Sequence, residues 1–199
     1  MNFELLVATN NAHKLQEIRQ ILSPHKITVY GMKDLNIDIG EVEENGSTYF
    51  ENALIKANAL KAVTTMPIIA DDSGLEILAL KNMPGLHSAR FASDCGGHTQ
   101  AINKILSDLE GKDRSARFIC DIVLVNVEDK PLLFEGVSPG KIGTEIQGEG
   151  GFGYDPIFIC DELNKSFALL TQEEKNRVSH RGKALKKLLT YLKINGLAI

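Results

Sequence analysis

The chain has 199 residues, 43% of them hydrophobic and 24% charged, a balance that suits one soluble folding unit and excludes disordered and fibrous classes. The formal net charge of -4 leaves no general basic face for DNA or RNA, and no apolar run is long enough to cross a bilayer. Cys95, Cys120 and Cys160 are odd in number, far apart and without C-x-x-C spacing, so they read as reduced thiols rather than a disulfide framework or a zinc site.

The first residues, from Met1 to Glu4, carry no basic stretch, and the apolar run after them is too short for a signal sequence, so export is not expected. Residues 3–8 form a short apolar run that ends in Thr9-Asn10-Asn11, as a buried strand entering a turn does. From Lys14 the spacing becomes helical through Leu15, Ile18, Ile21 and Leu22, and it stops at Ser23-Pro24. Residues 27–30 suit a second strand, and the acidic stretch 34–45 has little periodicity. Thr48 and Glu51 have capping-box spacing, which predicts a helix over 49–63.

Pro67-Ile68-Ile69-Ala70 reads as a buried strand leading to Asp71-Asp72-Ser73-Gly74, and Asn82-Met83-Pro84-Gly85 signals a turn. After Gly96-Gly97, a helix is expected over 100–109, then a strand over 116–127 with a hairpin partner at 132–135. Gly148-Glu149-Gly150-Gly151-Phe152-Gly153 is glycine-dense, and the apolar 157–159 follows Asp155-Pro156. A last helix over 179–193 carries Ala184, Leu185, Leu188, Leu189 and Leu192. No repeat or linker divides the chain, so residues 1–199 are expected to form a single domain.

Five clusters can carry chemistry. The segment Thr9-Asn10-Asn11-Ala12-His13-Lys14 joins strand to helix, where backbone N–H groups and a lysine can meet an anion; Asn as a simple helix cap is the alternative. Asp71-Asp72-Ser73-Gly74 sets two carboxylates side by side, costly to bury without a cation and suited to a hard divalent ion; a solvated turn is the alternative. Glu41, Glu43 and Glu44 either add a metal ligand or form an acidic surface. In Gly150-Gly151-Phe152-Gly153-Tyr154-Asp155-Pro156, glycines permit close backbone approach and an aromatic ring offers a stacking face; a bulged loop with core aromatics is the alternative. Glu173 to Lys183 is dense in donors suited to phosphate oxygens or a purine carbonyl, although part of it must face water.

Taken in this order, the clusters resemble the non-canonical purine nucleoside-triphosphate pyrophosphatase family, also called the inosine triphosphate pyrophosphatase family. The matching segments are 9–14, 48–57, 70–75, 84–90, 151–158 and 174–185, nearly the whole chain. The resemblance implies a homodimeric, cytoplasmic α/β enzyme: a long mixed β-sheet flanked by helices, with two lobes and the nucleotide in the cleft between them. It implies hydrolysis of dITP, ITP or XTP to monophosphate and pyrophosphate by water attack at the α-phosphorus, with no nucleic-acid or membrane partner. Asp72 then matches the catalytic carboxylate, Glu44 and Asp72 the ligands of Mg²⁺ (Mn²⁺ a possible substitute), and Asp71 a supporting acid.

The resemblance further implies that Lys14 and Lys56 neutralise the triphosphate, and that Thr9, Asn11 and Ser73 hydrogen-bond it within a loop that includes Asn10, Ala12 and His13. Phe152 matches the base-stacking aromatic, while Gly153, Tyr154, Asp155, Lys175, His180 and Arg181 match the base-recognition set. Donors from His180 or Arg181 would meet the 6-keto group of hypoxanthine or xanthine and oppose the amino group of adenine. Three positions depart from the family pattern: Asn10 for a common Gly, Leu169 for a common Glu, and Phe91 for a frequent Tyr.

Two other readings compete. The Maf-like nucleotide pyrophosphatases share the reaction type but prefer other bases, and the Gly-Phe-Gly-Tyr-Asp-Pro and Ser-His-Arg-Gly segments favour the purine reading over them. A nucleotide sensor without hydrolysis would not need the full set of Lys14, Glu44, Asp71, Asp72 and Lys175.

Overall fold

The computed structural model describes residues 2–198, so Met1 of the opening segment lies outside it, as does Ile199. Eight strands and six α-helices alternate along these residues. The strands are β1 (Phe3–Val7), β2 (Ile27–Gly31), β3 (Ile68–Ile77), β4 (Met83–Pro84), β5 (Ser115–Val125), β6 (Leu132–Ile142), β7 (Phe158–Cys160) and β8 (Lys165–Ser166). The helices are α1 (Ala12–Leu22), α2 (Tyr49–Lys61), α3 (Ser88–Asp94), α4 (His98–Asp108), α5 (Gln172–Val178) and α6 (His180–Ile194).

The strands pair in the order β2-β1-β3-β5-β6-β7-β8, with β4 on β3. β1 runs parallel to β2 and β3, whereas β3–β4, β6–β7 and β7–β8 are antiparallel, so the sheet is mixed as expected. The chain forms two compact units. One comprises Met1–Asp72, Cys120–Gly136 and Arg181–Ile199, the other Ser73–Ile119 and Val137–His180, so β3, β5 and β6 each contribute to both.

In the first unit, strand alternation sorts the core into two layers. Leu5, Val7, Ile69, Cys120, Ile122 and Leu124 pack with Ile18 and Leu22 of α1 and Ala184, Leu185, Leu188 and Leu192 of α6. Leu6, Ala8, Ile68, Ala70, Val123 and Val125 pack instead with Ala53, Ala57 and Leu60 of α2. Helices therefore cover both faces, which is why these strands read as continuous apolar runs. The second unit has its own core, in which Leu75, Ile77, Ala101, Ile105, Phe118, Phe158 and Phe167 are buried together.

Several boundaries differ from expectation. β3 does not turn at Asp71-Asp72 but continues to Ile77, because the carboxylates find partners and need not leave the sheet. β6 runs well past residue 135, through Pro139-Gly140: Gly140 faces Cys160, and a Cβ there would meet the Ile159 carbonyl and the Phe158 ring. The donor-rich segment near the C-terminus splits at Ser179, whose extended backbone ends α5 before α6 begins. α3 was not anticipated, and α4 starts at His98, two residues ahead of the helical spacing seen in the sequence.

Candidate active site

Asn11 caps α1, its Oδ1 accepting from the N–H groups of His13 and Lys14 at 3.0 and 3.1 Å, so the cap reading describes that oxygen. Thr9 Oγ1 in turn accepts from the Asn11 N–H at 3.1 Å. Asn10, Ala12 and His13 are exposed beside them. The loop thereby sets Lys14 one turn into α1, with its Nζ 3.0 Å from Asp71 Oδ2.

Because Asp71 and Asp72 are consecutive in a strand, their side chains leave on opposite faces. Asp71 follows Ile69 toward α1 and α6, where Arg181 gives it Nε and Nη2 bonds of 3.2 and 3.1 Å in addition to the Lys14 pair. Asp72 follows Ala70 toward α2, where Asn52 Nδ2 donates to Oδ2 at 3.1 Å and Lys56 Nζ stands 4.0 Å from Oδ1. Lys56 also pairs with Glu44. The two carboxylates thus leave on opposite faces and contact different side-chain cations, Lys14 and Arg181 for Asp71 and Lys56 for Asp72.

Their electrostatics diverge accordingly. Burial acts to raise Asp71, but Lys14, Arg181 and Lys56 outweigh it and hold the carboxyl far below the usual range. At Asp72 burial prevails, Lys56 and Lys14 offset it only in part, Glu44 adds to it, and the carboxyl is raised. Lys56 is raised too: burial alone would lower it, but Asp71, Asp72 and Glu44 dominate.

Among the described residues, no three His, Cys, Asp or Glu side chains are close enough to hold a metal by themselves. Glu44 and Asp72 still fit a hard divalent ion, since Mg²⁺ usually takes one or two carboxylates and completes its shell with substrate phosphates and water. A cation, the Lys56 ammonium, already contacts both. Asp71 Oδ1, buried without a hydrogen-bond partner, marks further acceptor capacity at β3. Ser73, the next residue on β3, is half-buried.

Arg181, expected among the base-side donors, gives its guanidinium to Asp71 and, through Nη1 at 2.6 Å, to Glu17 of α1. It is buried, as are both carboxylates, and a five-donor fork is the group best suited to hold two of them. Sequence reasoning missed Glu17 and Asn52. Each was detectable in principle as a polar residue on the apolar side of its helix, next to Ile18 and Ala53.

In the second unit, Asp155 organises the glycine loop. One of its oxygens, Oδ2, accepts from the Phe152 N–H at 2.8 Å and from Lys175 Nζ at 2.6 Å. Gly151 has φ 68°, and a Cβ there would run into the same carboxylate, so only glycine suits the turn. Lys175 Nζ also lies 4.6 Å from the centroid of the Phe152 ring, a cation–π contact. Gly153, next in the loop, has φ 64°. Tyr154 is buried in the core and donates its hydroxyl to the Ser88 carbonyl at 2.7 Å, which leaves it a neutral anchor with its phenol raised by burial. His180 is buried and stacks on Phe118, with ring centroids 4.5 Å apart and planes 9° apart.

Of the positions that depart from the family pattern, Leu169 is exposed and Phe91 packs against the core of the second unit. The Leu169 side chain lies against Gly148, at the start of the glycine-dense stretch.

The model of the Ham1 family matches residues 5–191. The chain belongs to this family. It is 44% identical to a dITP/XTP pyrophosphatase of Treponema denticola over 194 residues, 96% of this chain and 98% of that one. A dITP/XTP pyrophosphatase of Halalkalibacterium halodurans is 45% identical over 192 residues, 95% of this chain and 98% of the other. Among solved structures, a HAM1 protein from Coxiella burnetii superposes with a TM-score of 0.84 at 39% identity, covering 98% of this chain and all of that one.

Proposed function

We infer that this Ham1-family chain hydrolyses non-canonical purine nucleoside triphosphates, dITP or ITP and XTP or dXTP, to the monophosphate and pyrophosphate. Such a reaction clears deaminated purines from the nucleotide pool. The observation that carries the mechanism is the opposite treatment of Asp71 and Asp72. Asp71 is paired with Lys14 and Arg181 and held below the usual carboxylate range, whereas Asp72 accepts from Asn52 with Lys56 4.0 Å away and is raised by burial.

Asp72 is the carboxylate that accepts the proton of the attacking water. The water oxygen forms a bond to the α-phosphorus, the bond from that phosphorus to the α,β-bridging oxygen breaks, and the electron pair leaves with pyrophosphate. Lys14 and Lys56 offset the charge on the phosphates, and phosphoryl chemistry depends mostly on such positioning and neutralisation. Thr9, Asn10, Asn11, Ala12, His13 and Ser73 supply the surrounding polar groups of the phosphate side. Mg²⁺ held by Glu44 and Asp72, with Mn²⁺ as a substitute, would supply charge neutralisation and acidify a bound water.

Phe152 provides the stacking face for the base, with Gly153, Tyr154 and Asp155 shaping it and Lys175 and His180 supplying donors to a 6-keto group. Adenine would present a donor to these donors, and unpaired buried polar groups discriminate strongly. Arg181, with its guanidinium on Asp71 and Glu17, serves the carboxylate side in this reading. We further propose that residues 1–199 act as a single domain in a cytoplasmic homodimer without nucleic-acid or membrane partners; among the described residues no helix is long and apolar enough to cross a membrane.

The test is pyrophosphate release from dITP, XTP, dGTP and dATP, each with Mg²⁺ and with EDTA, with chromatography of the nucleotide product. Metal-dependent conversion of dITP and XTP to monophosphates is expected, with dATP and dGTP nearly untouched. Tight binding of dITP without turnover would instead indicate a sensor, and orthophosphate with a diphosphate product would mean that a different bond is cut.

A further inference from the structure

Of the two donors assigned to the base, Lys175 and His180, only the histidine has an aim that depends on a ring plane. The nitrogens of an imidazole donate and accept within that plane, so a histidine that must meet a 6-keto oxygen needs the plane held. Its own geometry does not hold it, because the outer torsion of a histidine side chain, about the bond to its flat ring, is broad. The restraint has to come from neighbours.

Phe118 supplies it. This residue of β5 is 7% exposed and stacks on the imidazole, with centroids 4.5 Å and planes 9° apart. Phe167, which follows β8, lies parallel to both rings, at 4° to Phe118 and 6° to His180, with centroids 5.8 and 6.4 Å away. Phe158 of β7 meets Phe118 and Phe167 edge-on, at 4.7 and 4.9 Å. Rings from β5, β7 and the turn after β8 thus form a block in which close packing leaves no plane room to turn alone. The same block borders the other donor, since Lys175 Nζ lies 6.0 Å from the centroid of Phe167. Phe118, Phe158, Phe167, Lys175 and His180 all belong to the second unit, as does Phe152.

Burial alone does not call for a ring at this position. Isoleucine also suits a buried strand, but it presents no flat face to an imidazole. We propose that Phe118 is a positioning residue that determines base specificity: its ring sets the plane of the His180 imidazole, and thereby the line along which that imidazole donates to the 6-keto oxygen of hypoxanthine or xanthine. This rests on the reading of His180 as a base-side donor. A donor held in one direction opposes the amino group of adenine, whereas an imidazole able to swing would turn aside and admit adenine at a smaller cost.

The experiment measures kcat/KM for dITP and dATP with Mg²⁺ in wild type, Phe118→Leu and Phe158→Leu, together with thermal unfolding and the NMR resonances of the histidine ring protons; His180→Gln assigns the His180 signals. Phe158→Leu is the packing control, since it removes a ring of the same kind from the same core, one that meets Phe118 by its edge. The ratio of kcat/KM for dITP over dATP should fall by roughly tenfold in Phe118→Leu, the scale of one hydrogen bond made poorly, and by less than about threefold in Phe158→Leu. Both variants should lose stability, as large-to-small core changes do. The His180 ring protons, shielded by the Phe118 face, should resonate upfield of the other histidines in wild type and move toward them in Phe118→Leu.

A folded Phe118→Leu enzyme with the wild-type ratio would overturn the proposal, as would an unmoved His180 resonance. Equal losses of selectivity in the two leucine variants would also overturn it, because the effect would then belong to the core as a whole. Should Phe118→Leu fail to fold, Phe118→Met takes its place under the same criteria. A wild-type protein that releases no pyrophosphate from dITP, or a His180→Gln enzyme with wild-type selectivity, would defeat the underlying functional reading instead, so the two failures are distinguishable.

Discussion

The polar centre around Asp71 and Asp72 and the glycine loop around Phe152 are built on different principles. The first is assembled from long-range charge pairs: Arg181 meets Asp71 across 110 positions of sequence, and Glu17 across 164. The second is more local: Asp155 holds the N–H of Phe152 three residues back and pairs with Lys175 twenty positions on. The lesson is that a centre of buried charges needs counter-ions gathered from several elements, whereas a loop can be shaped by its own carboxylate and the geometry of its glycines.

The largest expected effect breaks the charged centre at Asp72, its proposed reactive member. Asp72→Asn should keep the fold, because Asn52 and Lys56 lose only part of one partner, but should lower kcat for dITP by roughly 10³-fold, comparable to removing a principal transition-state contact. Steady-state kinetics with circular dichroism as a fold control checks this. A rate within tenfold of wild type would remove Asp72 from the chemistry.

Next in size is the cation between the two buried carboxylates. Arg181→Ala would leave Glu17 and Asp71 without their shared guanidinium, which should destabilise the protein by about 3–5 kcal/mol in urea unfolding. The ratio of kcat/KM for ITP over ATP should change little. A lost ratio in a stably folded variant would return Arg181 to the base side.

In the glycine loop the same kind of deletion should act on binding. Lys175→Met removes the cation over Phe152 and leaves Asp155 buried without its ion pair, so KM for dITP should rise by roughly tenfold while kcat falls less. A kcat defect larger than the KM defect would show that Lys175 acts in the chemical step.

The smallest effect is a pH dependence at Asp121. Burial, with Glu135 and Asp72 nearby, raises its carboxyl to about 6 despite the Phe50 N–H. The native state then holds the proton more tightly than the unfolded chain, whose aspartates titrate near ~3.9. The contribution of this group to stability is therefore full below the ordinary carboxylate range and is lost as pH rises through about 6. Urea unfolding from pH 4 to 7 should show the decline in wild type and a flatter profile in Asp121→Asn; parallel profiles would assign the slope to other groups.

Much of this was legible in the residues themselves. The apolar runs and helical spacings located β1, β2, α1, α2 and the C-terminal helix, because burial on a strand or helix imposes a period that the sequence must carry. The Thr48–Glu51 spacing marked a real helix start, although Glu51 reaches back to the Ser47 N–H. The charged positions Lys14, Glu44, Asp71 and Asp72 were visible as candidates in the residues, and Lys56 through the family resemblance, before their partners were known.

What the tertiary structure alone decided was pairing. Their adjacency in the sequence set Asp71 and Asp72 side by side; their place inside an unbroken β3 sends them to opposite faces, where Asp71 contacts Lys14 and Asp72 contacts Lys56. The partners of Arg181 and the buried Glu17 depend on which strand lies beside which, and hence on contacts between residues far apart in the chain. Local sequence determines the period and charge of each element, because these arise from the residue's own geometry and chemistry. Which charge meets which is set by how the elements pack, since a buried ion is tolerated only where another element brings its counter-ion or hydrogen-bond donor.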